Sequence, residues 1–358
     1  MHFKNKTLWI YVCFLVVLAI LFQLSASYIL RSRKIKKEDF EQAKKLMDSN
    51  ILALYEFEPE ISYMFKPNFS GIRHGSDEFV HRTNSRRLLG DREISSSHQR
   101  KILFLGDSVT YGDGVQYEKI FTMRLQGLAG NTWQLLNGSC PGWSTRQEAL
   151  FYQKFLSDIK WDAVVINFCL NDLLNYEWIY DSDTSFKMSS ELDNIGGLFG
   201  VKSKVAESVR LWEIRRNFGL NKKTKPLSLH NNTCLIAWET DKWQEYYAET
   251  LSRLFLINNH TLLIVVAFPS RFQMEALNLG APADVVLYQQ GMLRAYCKAA
   301  NVLFIDLSRA FTGKEGSVAL DDIFFDDLHL TPKGHESAAA YLWPRLNRAV
   351  HQRTISNN

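Results

Sequence analysis

The stretch Lys101-Ile102-Leu103-Phe104-Leu105-Gly106-Asp107-Ser108-Val109-Thr110-Tyr111-Gly112 decides the fold. An apolar run of strand length ends at Gly106, and Ser108 sits on the turn straight after it. A helical pattern from Phe121 to Leu128 follows a short loop. That order holds a hydroxyl at the carboxyl end of a strand, where open α/β sheets place their sites. Ser108 is therefore a candidate nucleophile, provided the chain also supplies a base and oxyanion donors. Taken alone, Ser108 reads as a helix N-cap, a common use of Ser after a Gly-Asp turn.

Outward from this stretch, strand and helix patterns alternate. Strand 101–105, a helix at about 119–128, a strand at about 133–137, a helix at about 145–158 and strand 162–167 come first. An insert at about 176–235 follows, with Gly196-Gly197, Gly200 and a basic region from Arg215 to Lys225. Then come a helix from Thr240 to Leu256, strand Leu262–Phe268, a helix at about 284–300, strand Val302–Asp306 and helix 332–347. Repeated βα units predict a parallel sheet with helices on both faces. Ahead of them, Lys36 to Leu54 is charged and helix-prone, and residues 60–71 and 80–85 read as short strands and turns. Residues 1–37, 38–100 and 101–350 are thus expected to be a hydrophobic leader, a packed lead-in and the main α/β domain. The insert falls directly after strand 162–167 and reads equally as a lid or as a solvated excursion.

The base stands more than two hundred residues after Ser108. In Phe325-Asp326-Asp327-Leu328-His329-Leu330-Thr331-Pro332-Lys333-Gly334-His335, Asp326 and His329 lie three apart, just before the last helix. Gly106-Asp107-Ser108 with Asp326-x-x-His329 resembles the SGNH (GDSL) hydrolase family. The resemblance covers roughly residues 101 to 345. It implies a flavodoxin-like three-layer α/β/α fold with a central parallel sheet, Ser108 as nucleophile, and Asp326 and His329 on one loop. It also implies an oxyanion hole made of the Ser108 N–H, a Gly N–H and an Asn side chain. Leu136-Asn137-Gly138-Ser139-Cys140-Pro141-Gly142-Trp143-Ser144-Thr145 is similar to the family's glycine segment, with Gly142 at the matching position. Val164-Val165-Ile166-Asn167-Phe168-Cys169-Leu170-Asn171-Asp172 matches its Asn segment, with Asn171 as donor. Cys169 stands where the family often has Gly. His335, near the start of the last helix, reads as structural rather than as a second base.

The residue types suit acyl transfer. A serine hydroxyl attacks an ester only if a base takes its proton, and a neutral imidazole can do so near physiological pH. Asp326 would fix the tautomer of His329 and stabilise the imidazolium. The sequence shows no Cys/His set with metal-ligand spacing, no P-loop and no dinucleotide fingerprint, so neither a metal nor a cofactor is expected.

Leu8 to Leu30 carries no charge over 23 residues, long enough to cross a bilayer. It reads as an uncleaved anchor, with Ser25-Ala26-Ser27 the alternative of a signal-peptide cleavage site. Two Lys precede it and five basic residues follow, which by the positive-inside rule puts the main domain in the cytoplasm. The family resemblance implies the extracytoplasmic (periplasmic) side, and that is the expectation adopted. The net charge of +4 arises from this leader. Residues 1–37 hold seven Lys or Arg and no acid, leaving 35 basic against 38 acidic residues elsewhere. The charge is therefore no sign of nucleic-acid binding. Of five cysteines, Cys13 lies in the hydrophobic run. Cys140, Cys169, Cys234 and Cys297 read either as two disulfides or as buried thiols.

Taken with the resemblance, these readings predict a membrane-anchored serine esterase, free of cofactors. It would act on an acetyl or short acyl ester of a carbohydrate or lipid. Two rivals remain: an acyltransferase that modifies an envelope polysaccharide, and a catalytically silent module that binds a glycan or partner.

Overall fold

A computed structural model describes residues 54–73, 79–96, 100–169, 172, 250–255, 257, 261–312 and 319–356. The expected anchor Leu8–Leu30 and the insert at 176–235 lie outside them. Among the described residues no helix is long and apolar enough to cross a membrane.

The lead-in forms two antiparallel hairpins. Strand β1 (Tyr55–Glu58) pairs with β2 (Ser62–Phe65), and β3 (Ser70–Arg73) with β4 (Phe79–Arg82). The main sheet has five parallel strands: β5 (Arg100–Leu105), β6 (Trp133–Asn137), β7 (Ala163–Phe168), β8 (Leu262–Ala267) and β9 (Leu303–Asp306). Their spatial order is β6-β5-β7-β8-β9. The chain steps from β5 outward to β6, then returns past β5 to build the other side. That reversal at β5 is the topological switch point, outside whose carboxyl end a ligand crevice opens. All six residues of β7 are buried, as the unbroken apolar pattern of a two-sided parallel strand requires.

The helices are α1 (Ser108–Tyr111), α2 (Phe121–Ala129), α3 (Thr145–Phe151), α4 (Ser252–Phe255), α5 (Arg271–Asn278), α6 (Ala283–Val286), α7 (Tyr288–Ala299), α8 (Ser308–Phe311), α9 (Leu320–Ile323) and α10 (Pro332–Ser356). Helices α2 and α10 pack together. Phe121 and Leu125 of α2 and Ala338, Leu342 and Leu346 of α10 share one core with Ile102, Phe104, Val165 and Ile264 of the sheet, and Met274 of α5 joins it.

Three helix expectations are corrected. The helix at 145–158 is α-helical only to Phe151 and then widens to a π turn, Tyr152–Leu156. The helix at 284–300 is split into α6 and α7 at Leu287, and α5 precedes it. Ser270 caps α5 through a box with Gln273, and Gly280 at φ 83° with Pro282 separates it from α6. The last helix runs to Ser356 rather than stopping near 347, passing through Pro344. Cys140, Cys169 and Cys297 are buried and stand outside any disulfide, so that alternative fails for them. Burial pushes the Cys297 thiol up to about 12, which keeps it unreactive.

Phe121 ties the layers together beneath the switch point. Its ring meets Phe104 edge-on at 5.9 Å and Phe268 at 5.5 Å, and lies parallel to the His335 imidazole at 5.9 Å. Burying a ring of this kind contributes about 1.5–3 kcal/mol, enough to seat α2 and α10 at the end of β5.

Candidate active site

The turn after β5 is built by close packing. A side chain at Gly106 would collide with Thr110, so only Gly lets α1 fold back against the strand end. The N-cap of α1 is Asp107, not Ser108. The Asp107 carboxylate accepts the Val109 N–H at 2.9 Å. Ser108 is thereby released from capping, and its partly exposed hydroxyl is free to act elsewhere.

His329 comes to it from the loop before α10. Its Nε2 lies 2.9 Å from the Ser108 Oγ, and its Nδ1 lies 2.6 Å from the Asp326 Oδ2. Asp326 is fixed in turn by the backbone. Its Oδ1 accepts the Leu328 N–H at 2.8 Å and the His329 N–H at 2.6 Å. The loop ends are pinned by the Phe325 N–H on the His329 carbonyl at 3.1 Å and by the Thr331 N–H on the Ile323 carbonyl at 2.8 Å. Gly334 is required there, because a side chain would strike the Ile323 carbonyl. Three residues spread over 221 positions of sequence thus form one hydrogen-bonded chain.

The electrostatics set the protonation states. Partial burial pushes Asp326 up, but the hydrogen bond and charge of His329 and the two backbone N–H groups outweigh it. The carboxyl is held below the usual range. Burial disfavours a charged His329, yet the hydrogen bond and charge of Asp326, then the charges of Asp113 and Asp107, raise it above 6.5. His335 is different. It is buried, its Nδ1 accepts the Phe121 N–H at 3.2 Å, and burial lowers it to about 3, with Arg124 and His329 adding to that. It is a neutral structural residue, as its position near the helix start suggests.

The glycine segment lies beside this chain. The Cys140 N–H donates to the Gly106 carbonyl at 3.1 Å, bringing residues 139–143 alongside the turn that carries Ser108. Gly142 follows Pro141 with φ 78°, a conformation that favours glycine. Asn171 lies outside the described residues. Cys169 and Asp172 are bonded to each other: the Asp172 N–H donates to the Cys169 carbonyl at 3.0 Å, and the Cys169 N–H to the Asp172 carboxylate at 2.7 Å. Cys169 is buried at the position where Gly was expected.

Three features escape the sequence reading. The lead-in braces the glycine segment. The Tyr63 hydroxyl donates to the Pro141 carbonyl at 2.8 Å, the Trp143 indole to the Tyr63 carbonyl at 2.9 Å, and the Gln147 amide to the Ile61 carbonyl at 2.7 Å. Second, the half-exposed Phe325 ring stacks on His329, centroids 5.7 Å apart, and lies against Gly114. Third, Glu148 is fully buried, and neither carboxyl oxygen has a hydrogen-bond partner among the described residues. Burial, with the charge of Asp107, pushes it well above the ordinary carboxyl range. Asp172 is pushed the same way by burial and then by Glu148 and Asp107. The only signal for the braces was the placement of the lead-in before β5. Among the described residues, no group of His, Cys, Asp or Glu could hold a metal ion.

Residues 104–337 match the model of the GDSL-like lipase/acylhydrolase family. No curated protein matches the chain. Among solved structures, the lipase/acylhydrolase from Enterococcus faecalis is similar at 17% identity and a TM-score of 0.41, covering 69% of this chain and 95% of its own. A catalytic mutant of Axe2, an acetylxylan esterase from Geobacillus stearothermophilus, is similar at 14% and 0.40, covering 72% and 96%. A carbohydrate acetylesterase family member from Sinorhizobium meliloti is similar at 13% and 0.38, covering 71% and 100%.

Proposed function

The chain belongs to the GDSL-like lipase/acylhydrolase family and is an ester-hydrolysing enzyme, and from that premise we propose that Ser108, His329 and Asp326 are its catalytic triad. The single observation that carries this reading is the hydrogen-bonded chain from the Ser108 Oγ through both imidazole nitrogens to Asp326.

In this mechanism neutral His329 takes the Ser108 proton as the oxygen attacks the ester carbonyl. Asp326 holds the other imidazole nitrogen as the donor and stabilises the imidazolium that forms. His329 then gives the proton to the departing alcohol. Water, deprotonated by the same imidazole, attacks the acyl-enzyme and releases the acid. The Ser108 N–H, first in its helix and so without an intrahelical acceptor, would face the oxyanion with the Gly142 N–H and the Asn171 amide. Removing one such donor costs roughly 3–4 kcal/mol of transition-state stabilisation.

The substrate we assign is an acetyl or short acyl ester of a carbohydrate or lipid. Phe325 supports an acyl ligand, since its exposed ring beside His329 offers an apolar wall next to the reacting carbonyl. We also assign Leu8–Leu30 as a membrane anchor with the catalytic domain on the extracytoplasmic side. The anchor rests on the uncharged length of that run, and the side of the membrane on the family resemblance. Protease added to spheroplasts, with the cytoplasmic membrane intact but the periplasm open, should remove the catalytic domain; its protection there, with cleavage only after lysis, would overturn the orientation.

The test of the reaction is turnover of p-nitrophenyl acetate, butyrate and octanoate by the full chain, with free acid and any acylated alcohol quantified. Serine-dependent release of free acid supports hydrolysis, and the chain-length profile measures the acyl pocket. Acyl flow only to an added sugar would mean transfer instead. Retained glycan binding without turnover of any ester would mean a silent module.

A further inference from the structure

A second concave site lies far from the triad. It is a cleft of about 350 Å³ at β9, the outermost strand of the sheet among the described residues. That volume is within the range of small-ligand pockets. The cleft lies three strands from β5, about 14 Å at the usual strand spacing. Its α10 side begins at Tyr341 and includes Arg345, which a rise of ~1.5 Å per residue carries about 20 Å along the helix from the end that abuts His329.

Four arginines from three helices converge on it: Arg294 from α7, Arg309 from α8, and Arg345 and Arg348 from α10. Asp306, at the end of β9, is the one acid in the lining, and it is already engaged, with its Oδ2 2.8 Å from the Arg294 guanidinium. Arg294 also lies over the Phe304 ring at 5.3 Å. Arg345 is held over the Tyr341 ring at 3.4 Å and donates to the Tyr341 carbonyl at 2.6 Å. These contacts fix two guanidinium groups before any ligand arrives, which lowers the ordering cost of binding. Arg309 and Arg348 are exposed and have no ion pair among the described residues.

With one arginine neutralised by Asp306, three positive charges face the cleft. A carboxylate monoanion would balance one of them. A phosphate group brings up to two negative charges and several acceptor oxygens, which suit planar guanidinium forks. We propose that this cleft is a binding site for a small phosphate-bearing anion, separate from the ester-cleaving centre. The shared chemistry is a phosphate ester, whether free in solution or the headgroup of a lipid.

The test is titration calorimetry on the full chain in neutral detergent at low salt, with inorganic phosphate, glycerol 3-phosphate, dihexanoyl phosphatidic acid and acetate as probes. Saturable binding of the phosphate-bearing probes over acetate is expected. The variant Arg309→Glu/Arg348→Glu should weaken it at least about tenfold, in line with the loss of charged hydrogen bonds. Ser108→Ala should bind as the wild type does, and the double variant should keep its ester turnover. If charge reversal lowers turnover, Arg309→Ala/Arg348→Ala carries the same comparison. In Ser108→Ala, so that the probe is not cleaved, tighter binding of phosphatidic acid that the arginine exchange abolishes identifies a lipid headgroup as the source; equal binding of glycerol 3-phosphate identifies a soluble one. Failure of every phosphate probe to bind, equal binding of acetate, or unchanged affinity in the arginine variants would overturn the proposal.

Discussion

The Tyr63 hydroxyl donates a hydrogen bond to the Pro141 carbonyl at 2.8 Å across 78 residues of sequence, and the Trp143 indole returns one to the Tyr63 carbonyl at 2.9 Å. Strand β2 of the lead-in therefore grips both sides of Gly142. Tyr63 and Trp143 are each 1% exposed, so water cannot substitute for either bond. The lead-in is joined to the segment around Gly142 through this grip.

Tyr63→Phe keeps the ring and removes only the donor. Stability should fall by about 1 kcal/mol, the net worth of one such bond. If the grip positions the Gly142 N–H, kcat should fall several-fold with KM little changed, because an oxyanion donor acts in the transition state. Kinetics and denaturant unfolding of the same variant check both. Lost stability with unchanged kcat would make the grip purely structural.

The pH profile follows from His329. Proton abstraction needs the neutral imidazole, so activity is lost as pH falls through its folded-state pKa. Asp326, Asp113 and Asp107 raise that value. The acid limb of kcat/KM should therefore lie above 6.5, the ordinary histidine value. Asp326→Asn should lower kcat by about 10⁴-fold and move the limb of the remaining activity to lower pH. A limb that stays in place would detach Asp326 from the titration.

Glu148 makes a prediction about stability. A carboxyl whose pKa is raised on folding stabilises the fold below its ordinary pKa of 4.5, and that contribution is lost as pH rises toward the folded value. Glu148→Gln removes the titration while keeping the shape. The variant should gain stability relative to wild type as pH rises from about 5 to about 8, by chemical denaturation at each pH. A constant difference across that window would mean that Glu148 is not a buried, reluctant acid.

The sheet was legible because parallel strands buried on both faces must be continuously apolar. Runs such as Val164-Val165-Ile166 and Leu263-Ile264-Val265-Val266 fit the middle of such a sheet and little else of their length. Ser108, Asp326 and His329 were legible as candidates through motif order and the family resemblance, and the structure brings them within hydrogen-bond distance of one another. The helix breaks at Leu287 and after Phe151 were not, since side-chain periodicity continues across them while the backbone changes. The bracing by Tyr63 and Trp143 was invisible for a different reason. It joins residues distant in sequence through main-chain carbonyls, which leave no mark on residue choice. Glu148 looks like an ordinary polar position of α3; only the folded structure shows that it is buried.

The most direct test is covalent capture of the nucleophile. A fluorophosphonate ester should phosphonylate the full chain once, with peptide mass spectrometry placing the adduct on Ser108. Labelling and hydrolysis of p-nitrophenyl acetate should decay together. Both should be absent from Ser108→Ala and strongly slowed in His329→Ala. An adduct on another serine, or full ester turnover by Ser108→Ala, would contradict the account.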